Sequence, residues 1–267
     1  MIDWNKADTK AMLRQLIAVL GIAIALSGSG CGDETTEVTS GNTAEGLWVG
    51  AININTNRAL RAAVLDDGTY YFFYSSVLGS PTQIAGVIQG TGTSNNGSFT
   101  SSNTKDFGIG VVVRDATISA DYTARQFLNG TIPYSGAGAG TATFTSSYNP
   151  AYDTRPTVAS LAGVYDGQLG SSGSSGDVQT ASMILQPDGT FTGKTDLSGC
   201  TFTGKATART RGNVFDQSIT FGGTACSFAG STLLGIMYLD IPTGRLYTAA
   251  LTSLRTDAVI LFGQKIL

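Results

Sequence analysis

The chain has no histidine, and its thiol and charged side chains are three cysteines, 19 Asp and Glu residues and 16 Lys and Arg residues. Without imidazole, Ser-His-Asp and Cys-His arrangements cannot form, and the commonest metal ligand and neutral-pH proton shuttle is missing. Asp66 and Asp67 are the nearest approach to a carboxylate pair for glycoside hydrolysis. Neighbours in a turn point apart, however, and Asp-Asp-Gly is ordinary turn chemistry. Asp240 and Asp257, with Arg245 and Arg255, read as surface charge at strand ends. The tract Gly136-Ala137-Gly138-Ala139-Gly140 matches a phosphate loop in composition only, since it lacks the lysine and the following helix. Cys200 and Cys226 without histidine make a poor zinc site. No catalytic residue, metal ligand or cofactor is expected, and the chain does not read as an enzyme.

The third cysteine, Cys31, closes an N-terminal segment with three parts. Lys6, Lys10 and Arg14 give a basic start diluted by Asp3 and Asp8, residues 16–26 are an uncharged apolar run, and small residues follow. As a helix at about 1.5 Å per residue, the run falls short of a bilayer core of about 30 Å. A removed signal peptide over residues 1–30 is the better reading. Ser29-Gly30-Cys31 resembles the lipobox of bacterial lipoproteins, in which the cysteine is acylated and becomes the new N-terminus. Gly28 departs from that pattern, where the family usually carries leucine, and the nearest leucine is Leu26. Cleavage by ordinary signal peptidase, leaving no lipid, therefore stays open. If Cys31 is acylated, several chains at about 0.8 kcal/mol per buried CH₂ make a stable anchor. Gly32 occupies the place where aspartate would favour inner-membrane retention, so the resemblance implies the bacterial outer membrane, on its periplasmic or its cell-surface face.

Residues 31–43 form a small, polar tether. Beyond it, 42% hydrophobic content supports a folded body, and a net charge of -3 without a basic stripe gives no electrostatic footprint for nucleic acid. An internal repeat organises that body. Gly46-Leu47-Trp48-Val49-Gly50 matches Gly163-Val164-Tyr165-Asp166-Gly167, and Asp67-Gly68-Thr69-Tyr70 matches Asp188-Gly189-Thr190-Phe191. The offset grows from 117 to 121 across the Gly/Ser tract at residues 170–176. Two similar domains follow, at 44–150 and 159–267, joined by a proline-bearing linker at 151–158.

Both domains read as all-β. Runs at residues 62–74, 108–118, 181–186 and 233–239 are rich in Val, Ile, Tyr, Phe and Thr and are bounded by turn residues. The two Asp-Gly pairs mark hairpins. Six to eight strands per copy make two consecutive small antiparallel β-barrel or sandwich domains. One hairpin can be given a register: with Gly212-Asn213 as a two-residue loop, paired numbers sum to 425, and Ala208, Ala206 and Gly204 face Gln217, Ile219 and Phe221. A bulge at Gly222-Gly223 then brings Cys200 opposite Cys226. In an oxidising compartment this register supports a Cys200 to Cys226 disulfide, two buried free thiols being the alternative.

Tyr70, Tyr71, Phe72, Phe73 and Tyr74 are consecutive, so alternation sends three to one face and two to the other. One set must be core. The other is exposed, packed against the second domain, or lining a binding surface. Trp48 and Tyr165, at matching places, read as core.

The whole resembles uncharacterised bacterial lipoproteins with small lipocalin-like or transferrin-binding-protein-type barrels. The signal, the tether, the duplicated strands and the closing strand at residues 258–263 carry the resemblance. The resemblance is specific for organisation and not for a ligand; a lipid-anchored, non-enzymatic envelope protein displaying a binding module for a protein or small apolar ligand is the expectation, with an enzyme a distant third. A structural envelope component is the alternative. A membrane-spanning barrel is disfavoured by the tether and by Leu267, where such barrels usually end in an aromatic residue.

Overall fold

The computed structural model describes residues 42–77, 83–136, 139–173 and 178–266. Cys31, the export segment and most of the tether lie outside the described residues.

Alternation dictates the first barrel. β7 (Arg114–Thr123) turns Ala116, Ile118, Ala120 and Tyr122 inward and leaves Asp115, Thr117, Ser119 and Asp121 in solvent. The other strands are β1 (Gly46–Asn53), β2 (Asn57–Val64), β3 (Thr69–Ser75), β4 (Ile84–Thr91), β5 (Thr93–Asn95), β6 (Ser98–Gly108), β8 (Phe127–Pro133) and β9 (Thr141–Asn149). They pair in the order β4-β3-β2-β1-β9-β8-β7-β6, and β4 with β6 closes an eight-stranded antiparallel barrel, with β5 a short hairpin on the start of β6. The second barrel runs β10 (Gly163–Ser171), β11 (Gln179–Leu185), β12 (Thr190–Thr195), β13 (Thr201–Ala208), β14 (Phe215–Gly222), β15 (Thr232–Asp240), β16 (Arg245–Leu251) and β17 (Ala258–Lys265), closing β17 on β10. Two short 3-10 helices, Pro150–Asp153 and Val158–Leu161, join the barrels.

The repeat is visible atom by atom. Gly68 and Gly189 both adopt positive φ, at 80° and 85°. Each follows a type I turn, with the Gly68 amide donating to Leu65 O and the Gly189 amide to Gln186 O. The Asp67 and Asp188 carboxylates accept from the amides of Thr69 and Thr190. These are three-residue hairpin loops ending in a glycine bulge, which is why Asp-Gly precedes the aromatic strand in each copy. Trp48 Nε1 donates to Ala44 O and Tyr165 Oη to Leu161 O, in each case four residues upstream. A Cβ on Gly50 would sit 1.9 Å from Thr145 O, and one on Gly167 1.8 Å from Phe262 O. Both glycines let the first strand lie against the last, so each barrel can close.

Three hydrophobic clusters result. Trp48, Tyr70, Phe72, Phe99 and Phe144 fill the first barrel, and Tyr165, Met183, Phe191, Phe202, Phe221 and Met237 fill the second. The third cluster lies between the barrels, where Tyr71, Phe73, Val87 and Phe107 meet Ile236, Tyr238, Tyr247 and Phe262. Phe73 packs at 6.2 Å from Tyr238 and 5.9 Å from Tyr247, which stack on each other at 4.8 Å. Fully burying an aromatic of this size stabilises by about 1.5–3 kcal/mol.

Two sequence expectations are corrected here. Residues 108–118 are not one strand: β6 ends at Gly108, Gly110 takes φ 71°, and Val111 and Val112 are exposed before β7 begins. The β13–β14 hairpin pairs residues whose numbers sum to 423, as in Ala206 with Gln217 and Phe202 with Phe221. The loop is longer than expected because Arg209 and Val214 form the last backbone bond, while Asn213 is buried and Gly212 packs against Tyr152. A shift of two leaves the same residues inside, so the facing pattern alone could not detect it.

Candidate functional site

All five residues of the aromatic run are buried, so they form no exposed binding surface. Tyr70, Phe72 and Tyr74 belong to the first barrel's interior, and Tyr71 and Phe73 are covered by the second barrel. The second set satisfies its burial within the chain.

Charged groups tie the same seam. Arg209 reaches from the β13–β14 turn to Asp66 (2.7 Å) and Asp67 (3.2 Å) in the first barrel and to Asp216 (2.6 Å) in its own. Burial raises the Asp67 carboxyl, but hydrogen bonds from Thr69 and the Arg209 charge bring it below its ordinary value. Arg211 pairs with Glu45 at 2.9 Å, and Glu45 also accepts from Tyr152 Oη at 3.0 Å. Burial dominates at Glu45 and holds its carboxyl above its ordinary value. Arg255 donates to the carbonyls of Gln89 and Asn103. Ile109 forms an isolated backbone bridge with Ser172. Asp66 and Asp67 thus serve turn and seam, and Arg255 is an inter-barrel tie rather than free surface charge.

Opposite the Asp-Gly turn, the end of the first barrel is plugged by a polar cluster that no sequence motif signals. The Asp106 carboxylate is buried, accepts from Tyr74 Oη (2.7 Å) and Tyr134 Oη (2.9 Å), and pairs with Arg114 at 2.7 Å. The Arg114 guanidinium stacks on Tyr134, its carbon 3.8 Å from the ring centroid. Burial, then the neighbouring Asp106 charge, keeps both phenols far above their ordinary value. Both oxygens of the carboxylate are engaged. Nearby, a bulge between Ser101 and Thr104 in β6 turns both hydroxyls inward to Tyr70 Oη.

The corresponding end of the second barrel is closed covalently. Cys200 and Cys226 form a disulfide with Cα atoms 4.8 Å apart. The residues between the ladder's last pair, Thr201 with Gly222, and Cys226 are taken up by a turn at Gly223, which replaces the expected bulge. The disulfide pins the β14–β15 loop, and from that loop Phe228 packs on Phe221 at 5.9 Å. Beside it lies a cleft of about 60 Å³ that includes Leu169, Ser171, Gln179, Phe228 and Val259 in its lining. Gly136 and Gly140 sit between β8 and β9, where a strand rather than a helix follows. Among the described residues, no group of three or more Cys, Asp or Glu is placed to hold a metal ion.

Away from the seam the outer faces are hydroxylic. Thr100, Ser119, Thr131 and Thr143 lie in register across β6 to β9, and Thr192, Thr203, Thr220 and Thr232 across β12 to β15, all of them exposed. A lipid-facing barrel shows the reverse, apolar outside and polar within. Comparison with known proteins finds no matching family model and no matching curated sequence.

Proposed function

We propose that this chain is a non-enzymatic cell-envelope protein, lipid-anchored through Cys31 at the bacterial outer membrane, whose double barrel is a rigid interaction module working from its surface and loops. The observation behind the surface-and-loop placement is the packing of both interiors, which together with the polar outer faces also suits the structural alternative. Side chains such as Trp48, Phe72, Phe191 and Phe221 occupy the space where a carrier barrel would hold its cargo. Drug-sized ligands need roughly 300–1,000 Å³, well above the cleft at the second barrel. A lipocalin-like resemblance in strand organisation therefore does not bring a small apolar cargo with it.

A structural envelope component without a specific ligand is the second reading, favoured by the hydroxylic outer faces. The two readings share the anchor and differ in whether a partner exists.

The test of the anchor is metabolic labelling with an alkyne fatty acid, followed by fractionation of wild type and Cys31→Ala. Label and outer-membrane recovery in the wild type, both lost in the variant, are expected. An unlabelled wild type cleaved before Cys31 would sink the lipid anchor. For the module, crosslinking on intact cells should recover a discrete partner, and recovery of bulk envelope alone would favour the structural reading.

A further inference from the structure

The cleft at the second barrel has more chemistry than a packing defect would have. Its apolar wall is Leu169, Phe221, Phe228 and Val259, and its polar wall includes Ser171, Gln179 and Ser227. The neighbouring polar groups are already spent: Thr195 and Ser198 share a hydroxyl bond of 2.7 Å, and Gln179 Oε1 accepts from the Ser198 amide at 3.0 Å. That leaves Gln179 Nε2 and the hydroxyls of Ser171 and Ser227 without an intramolecular partner among the described residues. Among the described residues no charged side chain lines the cleft, so the groups that face it suit a neutral ligand.

Size and polarity together narrow the occupant. At roughly 10–15 Å³ of such space for each water-sized group, about 60 Å³ leaves room for roughly four to six heavy atoms. The group must offer an acceptor to Gln179 Nε2, a donor to a serine hydroxyl and a small apolar end to the Phe228 and Val259 wall. We propose that this cleft binds the acetamido group of an N-acetylated amino sugar, with the sugar ring outside against the exposed Ser198 and Ser227. The methyl meets the apolar wall, the carbonyl accepts from Gln179, and the N–H donates to Ser171 or Ser227. The disulfide is part of the site, because Cys200 lines the cleft and Cys226 fixes the loop that brings Ser227 and Phe228 to it. This inference rests on the interaction-module reading and gives it a ligand class.

The experiment is saturation-transfer difference NMR on the full chain in detergent, disulfide intact, with N-acetylglucosamine and with glucose. A small buried group supports only a millimolar dissociation constant. Transfer should be strongest at the acetyl methyl, saturate in the millimolar range and be absent for glucose. Gln179→Ala should weaken binding by about five- to tenfold, the effect of losing one hydrogen bond. Ser227→Trp, at an exposed position, should fill the cleft and abolish transfer while the melting temperature stays unchanged. Transfer spread evenly over the ring, equal transfer in Ser227→Trp, or none at tens of millimolar sugar would overturn the proposal. Failure here with a lipid-labelled Cys31 removes the cleft ligand and leaves the envelope placement standing.

Discussion

Breaking the Cys200 to Cys226 disulfide should report on how the two barrels are coupled. The bridge spans 26 residues of sequence, and a loop of that length stabilises by about 3.5 kcal/mol in the chain-entropy description. If the seam of Tyr71, Phe73, Tyr238 and Tyr247 joins the barrels into one cooperative unit, about 225 residues unfold together. At about 2.1 cal/mol/K per residue, the unfolding entropy is then near 0.47 kcal/mol/K, and loss of the bridge should lower Tm by about 7 °C. If the second barrel melted alone, about 105 residues would carry the loss, and its Tm would fall by about 16 °C. Differential scanning calorimetry of the full chain and of a Cys200→Ala/Cys226→Ala variant separates the cases. One transition, moved by about 7 °C with equal calorimetric and van't Hoff enthalpies, is expected. Two transitions in the variant, with the upper one at the wild-type temperature, would refute the coupling.

Other substitutions probe each barrel. Gly50→Ala and Gly167→Ala place a Cβ within 2 Å of a backbone carbonyl on the closing strand, and each should cost about 2–4 kcal/mol by urea denaturation. Asp106→Leu should cost about 2–5 kcal/mol because it strands two buried phenols, whereas Asp106→Asn keeps an acceptor and should cost less than half as much; the Arg114 partner is partly exposed, so its pair adds little. Burial lifts the phenols of Tyr71 and Tyr165 to about 12 and raises those of Tyr70, Tyr74 and Tyr238 as well. Their stabilisation is complete below the unfolded value of about 10 and is lost as pH rises through the folded values. Absorbance at 295 nm should therefore show most tyrosines ionising above pH 11, together with loss of structure, and a full titration near pH 10 in the folded protein would contradict the burial.

What the sequence made legible was local and repeated. Asp67-Gly68 and Asp188-Gly189 fixed two hairpins because only glycine takes the left-handed position at low cost. The cysteine pair emerged from face alternation, and its wrong register did no harm because an error of two preserves the face. The aromatic run was legible as two-faced, but strand periodicity carries no information about what covers the outer face. Asp106, Tyr134 and Arg114 were hidden for a related reason: they come from β6, β7 and the end of β8, and only barrel closure brings them together. The Asp66 and Arg209 pair is separated by 143 residues and joins two domains, which no motif encodes.

The seam also bears on assembly. The first barrel contributes outward residues of β2, β3, β4 and β6, and the second contributes those of β15 to β17, so the contact joins two different faces of one repeated unit. A head-to-tail contact between like units can in principle add a further unit at each end and grow into a filament. Here both free ends are blunted. β12, the counterpart of β3, presents Thr190, Thr192 and Lys194, and β9, the counterpart of β17, presents Thr141, Thr143, Thr145 and Ser147. Each barrel thus carries one apolar face, and the two faces cover each other within the chain.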